Sequence, residues 1–164
     1  MTNIPYFEIR EATENDVTII FNFIKELAIY EKLLDEVYAT EEALKETLFG
    51  KKRYAEVLLG YYKDEPVCFA LFFHNYSTFV GKPGLYLEDI FVKETMRGKG
   101  FGKAVFIKLA QIAVERNCGR MEWAVLTWNE PAINFYKSIG ALTMDEWAVN
   151  RLTGQNLINL ANNK

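Results

Sequence analysis

Val17, Ile20, Phe21, Ile24, Leu27 and Ala28 recur three and four residues apart, the period of a helix with one apolar face. Thr13 stands ahead of that run as an N-cap, with Asp16 three residues on as a variant of the capping box. Residues 7–11 before it read as a short strand. A second helix is expected from Thr40 to Gly50, with Glu41 and Glu42 at the positive end of its dipole. The period then changes. Residues 54–62 and 67–76 are dense in Val, Leu, Tyr and Phe and are divided by Lys63-Asp64-Glu65-Pro66, which predicts a hairpin. A loop over 77–84 with Gly81, Pro83 and Gly84 leads to a third strand, LYLEDIFV at 85–92. A glycine-rich loop and a helix over about 101–117 come next. Arg120–Leu126 reads as a strand, Pro131–Ile139 as a helix ended by Gly140, 141–152 as a strand, and the turn after Gly154 as helical.

That order is β-α-α-β-β-β-α-β-α-β. Antiparallel pairs come first, then two strands joined through a helix. It predicts an α/β (α+β) fold, a mixed and mostly antiparallel sheet with helices on both faces. No repeat, linker or low-complexity segment breaks the 164 residues, so a single domain over 1–164 is expected.

Composition narrows the function. Half the residues are hydrophobic and the formal net charge is −3, which suits a packed protein and lacks the basic footprint of a nucleic-acid binder. The chain shows no apolar run of membrane-spanning length and no signal-type h-region, so a cytoplasmic protein is expected, with no membrane partner. The two cysteines, Cys68 and Cys118, read as reduced core thiols. His74 is the only histidine, and with it no metal-ligand spacing exists; no metal is expected.

The chemistry concentrates in 96-MRGKGFGKAVFIKLAQIAV-114, where three glycines alternate just ahead of a helix. Amides at a helix N-terminus are unpaired and favour an anion, and glycine lets a phosphate reach the backbone. Arg97-Gly98-Lys99-Gly100-Phe101-Gly102 therefore reads as a pyrophosphate cradle, against the plainer reading of a flexible capping turn. It is not a P-loop, because Gly98 and Gly102 are one residue too close and Ala104 follows Lys103. Nor is it a dinucleotide fingerprint, because the third glycine position holds Lys103.

The remaining pattern, Arg97-x-x-Gly100-x-Gly102, resembles the acyl-CoA loop of the GCN5-related N-acetyltransferase superfamily. Four longer strings resemble its diamine (spermidine/spermine) and thialysine acetyltransferase family: IKELAIYEK at 24–32, YLEDIFV at 86–92, RGKGFGK at 97–103 and WNEPAINFYKSIGA at 128–141. The resemblance implies acetyl-CoA as cosubstrate, a small primary amine as acceptor and a homodimer. It implies that Arg97, Gly98, Lys99, Gly100, Phe101 and Gly102 hold the pyrophosphate, that the backbone of Ile90, Phe91 and Val92 pairs with the pantetheine arm, and that Asn129 touches the cofactor. Tyr136 is the implied acid facing the CoA sulfur, and Glu88 the implied base, acting through water. Tyr30 and Glu31 match positions near the amine. Asp89 competes with Glu88, since adjacent strand residues face opposite ways and only one is expected to reach the cleft.

These residue types suit amine acetylation. An ammonium must lose a proton before it attacks a thioester, a backbone N–H can hold the oxyanion, and a phenol can protonate the departing thiolate. Plainer readings stand beside these: Tyr136, next to Phe135, as a core residue, Glu88 as a solvated strand residue, and Glu41, Glu42 and Glu46 as a solvated helix face. Phe79-Val80-Gly81-Lys82 and the tail DEWAVNRLTG at 145–154, which keeps Trp147, depart from the polyamine enzymes. The acceptor is thus expected to be a polyamine- or diamine-like amine, with thialysine or another amino-acid amine, or a protein or peptide amine, as alternatives. A CoA-binding regulator without turnover is the non-enzymatic alternative.

Overall fold

In the computed structural model, which describes residues 4–163, one five-stranded sheet carries the architecture. β1 (Phe7–Glu11), β2 (Glu56–Tyr62), β3 (Glu65–Ser77), β4 (Lys82–Val92) and β5 (Arg120–Trp123) lie in the order β1-β2-β3-β4-β5. The first three pairings are antiparallel and β4 runs parallel to β5. Five α-helices accompany it among the described residues: α1 (Val17–Glu31), α2 (Glu41–Phe49), α3 (Phe101–Glu115), α4 (Glu130–Ser138) and α5 (Gly154–Ala161). The mixed, mostly antiparallel sheet expected from the sequence is the one observed. By internal contacts the chain divides between Ala124 and Val125 into two compact units.

In the first unit the sheet is covered on both faces. Ile20 and Phe23 of α1 and Leu48 of α2 bury against Val57, Leu59, Phe69 and Phe91. On the other face Phe101 of α3 stacks on Phe7 at 4.4 Å between ring centroids and tilts against Tyr62 at 5.3 Å. Gly60 of β2 lies beneath this layer: a Cβ there would come within 2.4 Å of Cys68 Sγ, so a side chain is excluded. Burial pushes the Cys68 thiol up to about 12, as suits an inert core thiol.

The hairpin expected at Lys63-Asp64-Glu65-Pro66 is tighter than its four-residue signal. Only Lys63 and Asp64 turn, both at positive φ, and Glu65 already pairs with Tyr62. The loop expected over 77–84 shortens to 78–81, because β3 runs to Ser77 and β4 begins opposite it at Lys82. Pro83 does not interrupt the ladder there; its carbonyl accepts from Gly119 N–H at 2.8 Å, and its missing N–H lies near the end of the hairpin. Phe79, at the tip, is fully exposed.

In the second unit, α4 and α5 form close to where they were expected, but residues 141–152 make no strand. A strand needs a ladder partner, and among the described residues none pairs with this segment. The strand expected over Arg120–Leu126 likewise ends at Trp123, where its pairing with Leu87 ends. Among the described residues no helix is long and apolar enough to cross a membrane.

The entry to α1 is held by a polar clamp. Arg10 of β1 donates to both carboxylate oxygens of Asp16, at 2.9 and 2.7 Å, and to Tyr61 Oη at 2.8 Å. Asp16 Oδ2 also accepts from the Thr13 N–H and hydroxyl, the capping interaction read from the sequence. Asp16 is only 5% exposed, yet the Arg10 guanidinium holds its carboxyl well below the usual carboxylate range. Because the folded value lies below the unfolded one, its stabilisation is complete above about pH 4 and is lost as pH falls below that. Asp16→Asn should therefore cost about 1–2 kcal/mol at pH 7, discounted for the partly exposed Arg10. The deficit should shrink in denaturant titrations repeated toward pH 3; a deficit that does not change with pH would refute the clamp's charge.

Candidate active site

β4 carries one residue more than its partner. Leu71 of β3 faces Asp89 and the next residue, Phe72, faces Leu87, so Glu88 is left over as a bulge. Opposed residues share a face, so Leu87 points toward the α3 side and Asp89 toward the α1 side, although they are two apart. Glu88 sits between Tyr86 and Asp89, and its charge acts on both. The register puts Asp89 on the α1 side, and Glu88, the bulged residue, stands next to it in the chain.

Asp89 is half-buried while Glu88 is exposed. Burial, then the charges of Glu88 and Glu31, push the Asp89 carboxyl up to about 6. Glu31, the last residue of α1, is itself raised by burial. Lys32 takes a left-handed conformation at φ 61 and ends the helix there, and the charge of Glu31 just before it reaches Asp89 of β4. Tyr30, one residue before, lies 6.2 Å from the Phe91 ring. Together α1 and β4 form a cleft of about 440 Å³ lined by Glu26, Ile29, Tyr30, Phe91, Lys93, Glu94 and Thr95. Glu26 and Lys93 were not singled out in the sequence. Their signal lies in spacing: Glu26 is one helical turn before Tyr30, and Lys93 alternates with Asp89 and Phe91 along the strand.

The glycine loop lies at the end of the same strand. Gly98 and Gly100 take positive φ, 76° and 86°, which a side chain would strain. The first hydrogen bond of α3 runs from Ala104 N–H to Gly100 O at 3.0 Å, so the amides of Phe101, Gly102 and Lys103 precede the helical ladder. Among the described residues, its chain neighbours aside, no heavy atom lies within 4 Å of a Cβ built on Gly98. Phe101 itself is 1% exposed, so its ring is core and only its amide is available to a ligand. Lys99 Nζ lies 5.8 Å from the Tyr62 ring centroid. Arg97 Nε donates to Val92 O at 3.1 Å, and its guanidinium lies 4.2 Å from the Tyr30 ring centroid.

β5 pairs with β4 only from Gly84 to Leu87. Past the bulge, Ile90, Phe91 and Val92 pair with Ala70, Phe69 and Cys68 on one edge, and among the described residues no strand pairs with their other edge. In the second unit, Asn129 caps α4, its Oδ1 accepting from Ala132 N–H at 3.4 Å. Tyr136 lies on that helix, its ring 5.6 Å from Phe135. Among the described residues no group of three His, Cys, Asp or Glu side chains is placed to hold a metal ion.

The profile of the Acetyltransferase (GNAT) family matches residues 23–141, from α1 past the end of α4. The chain belongs to the GNAT acetyltransferase family. It is similar to the thialysine N-epsilon-acetyltransferase of Bos taurus, 38% identical over 96% of this chain and 99% of that protein. It is also similar to the L-ornithine N5-acetyltransferase NATA1 of Arabidopsis thaliana, 33% identical over 93% of this chain and 86% of that one. Among solved structures, an integron cassette protein from V. cholerae superposes with a TM-score of 0.79, at 28% identity, over 95% of this chain and 98% of that one. The GNAT fold read from the element order is therefore the fold of the family, and the protein is an acetyltransferase.

The Asp89 site carries a stability cost in this GNAT protein. Its folded pKa lies above its unfolded one, so the folded state loses stability as pH rises from about 4 to about 6 and stays penalised above that. Asp89→Asn should raise stability by about 1–2 kcal/mol at pH 7.5 and have little effect near pH 4. Thermal melts at both pH values would show it, and a variant less stable at pH 7.5 would mean that the Asp89 charge is compensated.

Proposed function

We propose that this GNAT enzyme transfers the acetyl group of acetyl-CoA to the terminal side-chain amine of a small amino acid of the thialysine or ornithine kind. The observation that carries the reading is the carboxylate group Glu31, Glu88 and Asp89 next to the Tyr30 and Phe91 rings. Acidic groups beside an aromatic face attract an ammonium, and a carboxyl raised to about 6 is poised to take its proton. Two of the relatives are named a thialysine and an ornithine acetyltransferase, which supports the thialysine side of the expectation. The departures at Phe79-Val80-Gly81-Lys82 and in the tail around Trp147 point away from polyamines in the same sense.

The residues fit acetyl-CoA. In this reading the amides of Phe101 and Gly102, the open backbone at Gly98 and Gly100, and the side chains of Arg97 and Lys99 hold the pyrophosphate. The unpaired edge at Ile90, Phe91 and Val92 takes the pantetheine amides, and Asn129 contributes near the cofactor. When bound, acetyl-CoA supplies an activated thioester carbonyl. Asp89 removes the proton that blocks the amine's lone pair, its pKa held up by burial first and then by the charges of Glu88 and Glu31. Glu88 can take the same role through water. Backbone N–H groups at the β4 bulge polarise the carbonyl. Tyr136 donates a proton to the departing sulfur. No covalent enzyme intermediate forms. The reading treats 1–164 as one catalytic domain working as a homodimer, in keeping with the exposed Tyr76 and Phe79 at the β3–β4 tip.

Two experiments test this. Thiol release from acetyl-CoA, measured at pH near 8 against thialysine, L-ornithine, L-lysine, putrescine, spermidine, spermine and a lysine peptide, should favour an amino acid. Release highest with the peptide would replace the acceptor class, and tight acetyl-CoA binding without release would make the protein a regulator. Second, kcat/KM should fall on the acid side with an apparent pKa near 6. Asp89→Asn should remove that limb, whereas loss of the limb in Glu88→Gln alone would move the base to Glu88. Tyr136→Phe should lower kcat by about 10- to 100-fold with acetyl-CoA affinity unchanged; unaltered kcat would remove Tyr136 as the acid.

A further inference from the structure

Asp89 and Phe91 of β4 and Lys93, the residue just after it, whose N–H donates to Val67 O, fall at alternate positions past the bulge, and so share one face. That face is the α1 side. The Glu31 charge reaches Asp89, Tyr30 adjoins Phe91, and Lys93 Nζ lies 5.5 Å from the Phe23 ring centroid. The strand thus presents a carboxylate, an aromatic ring and an ammonium in order, over about 13 Å of extended backbone, part of which the two charged side chains bridge.

Lys93 is fixed at its backbone, where its N–H donates to Val67 O at 2.9 Å. Among the described residues it makes no salt bridge, although Glu26 and Glu94 line the same cleft. Glu94 is turned instead to Arg97, at 3.9 Å. A cation facing a cleft of carboxylates repels a second ammonium at that end and attracts an anion. A diamine brings ammonium groups to both ends. An amino acid with a terminal amine brings an ammonium to one end and a carboxylate to the other, and its α-ammonium has Glu26 available.

We propose that Lys93 is the carboxylate anchor of the acceptor site and sets its preference for an amino acid over the same amine without the carboxylate. The proposal rests on the amino-acid reading of the acceptor given above. Two matched pairs isolate the carboxylate: L-ornithine with putrescine, and L-lysine with cadaverine. Steady-state kinetics of the wild type, Lys93→Met and Lys93→Arg with each pair, and calorimetric binding of L-ornithine, read it directly. Lys93→Met should raise KM for the amino acids by about 10- to 100-fold, the reach of one charge-assisted hydrogen bond, with kcat little changed. KM for the diamines should stay level or fall. Lys93→Arg, which keeps the charge and guards against a folding artefact, should recover most of the amino-acid affinity. An equal rise for amino acids and diamines would remove the anchor and leave the amino-acid reading standing. A wild type that prefers the diamine of each pair would overturn that reading and the anchor with it.

Discussion

One unpaired residue in β4 sets the geometry on which the rest of the site depends. If Glu88 were absorbed into the ladder, Leu87 and Asp89 would share a face, and one of them would be misplaced. Leu87 would leave the α3 core or Asp89 would enter it. With the bulge, Leu85 and Leu87 stay buried on the α3 side, while Asp89, Phe91 and Lys93 turn to α1. The ladder to β5 also stops at Leu87, just before the bulge, so among the described residues no strand pairs with that edge of the last part of β4. A bulge costs ladder hydrogen bonds, and here the burial of Phe91 against Phe69 and α1 on the far side of it offsets that loss.

Two aspartates, Asp16 and Asp89, show how the same side chain serves opposite purposes. Asp16 is buried and Asp89 half-buried, and for each the loss of water by itself raises the carboxyl pKa. Asp16 receives two hydrogen bonds from Arg10 and more from Thr13, and its carboxyl falls. Asp89 has Glu88 and Glu31 for neighbours, and its carboxyl rises. The first arrangement stabilises the fold. The second costs stability, and such a cost is tolerated where the uncompensated charge has a use. A cationic acceptor is the missing counter-charge that this cluster suits.

Much of this was legible along the chain. α1, α2 and α3 followed from apolar spacing and from their caps, Thr40 among them, whose Oγ1 accepts from Ala43 N–H. The glycine loop was legible because positive φ at Gly98 and Gly100 is what glycine is used for. The bulge was not, because Glu88 carries neither the Gly nor the Pro that often marks one; register depends on the partner strand, which no local pattern reports. For the same reason residues 141–152, apolar and strand-like by composition, read as a strand although no ladder partner meets them. Lys93 escaped notice because the face it shares depends on a parity that is shifted at Glu88.

β4 past the bulge therefore offers two independent surfaces. Its edge presents backbone groups at Ile90, Phe91 and Val92, and its face presents the side chains of Asp89, Phe91 and Lys93. A ligand that pairs with the edge reads almost nothing of the side chains, and one that lies on the face reads little else. An enzyme built this way can change its acceptor by substitutions on the face while keeping its donor, because the edge is made of backbone that such substitutions leave in place. Arg97 is the exception that joins the two: its Nε takes the Val92 carbonyl at the edge, while its guanidinium covers the Tyr30 ring on the face. In the reading proposed above, a phosphate that drew this side chain toward the glycine loop would release both contacts at once, and Arg97 would couple the donor and acceptor surfaces.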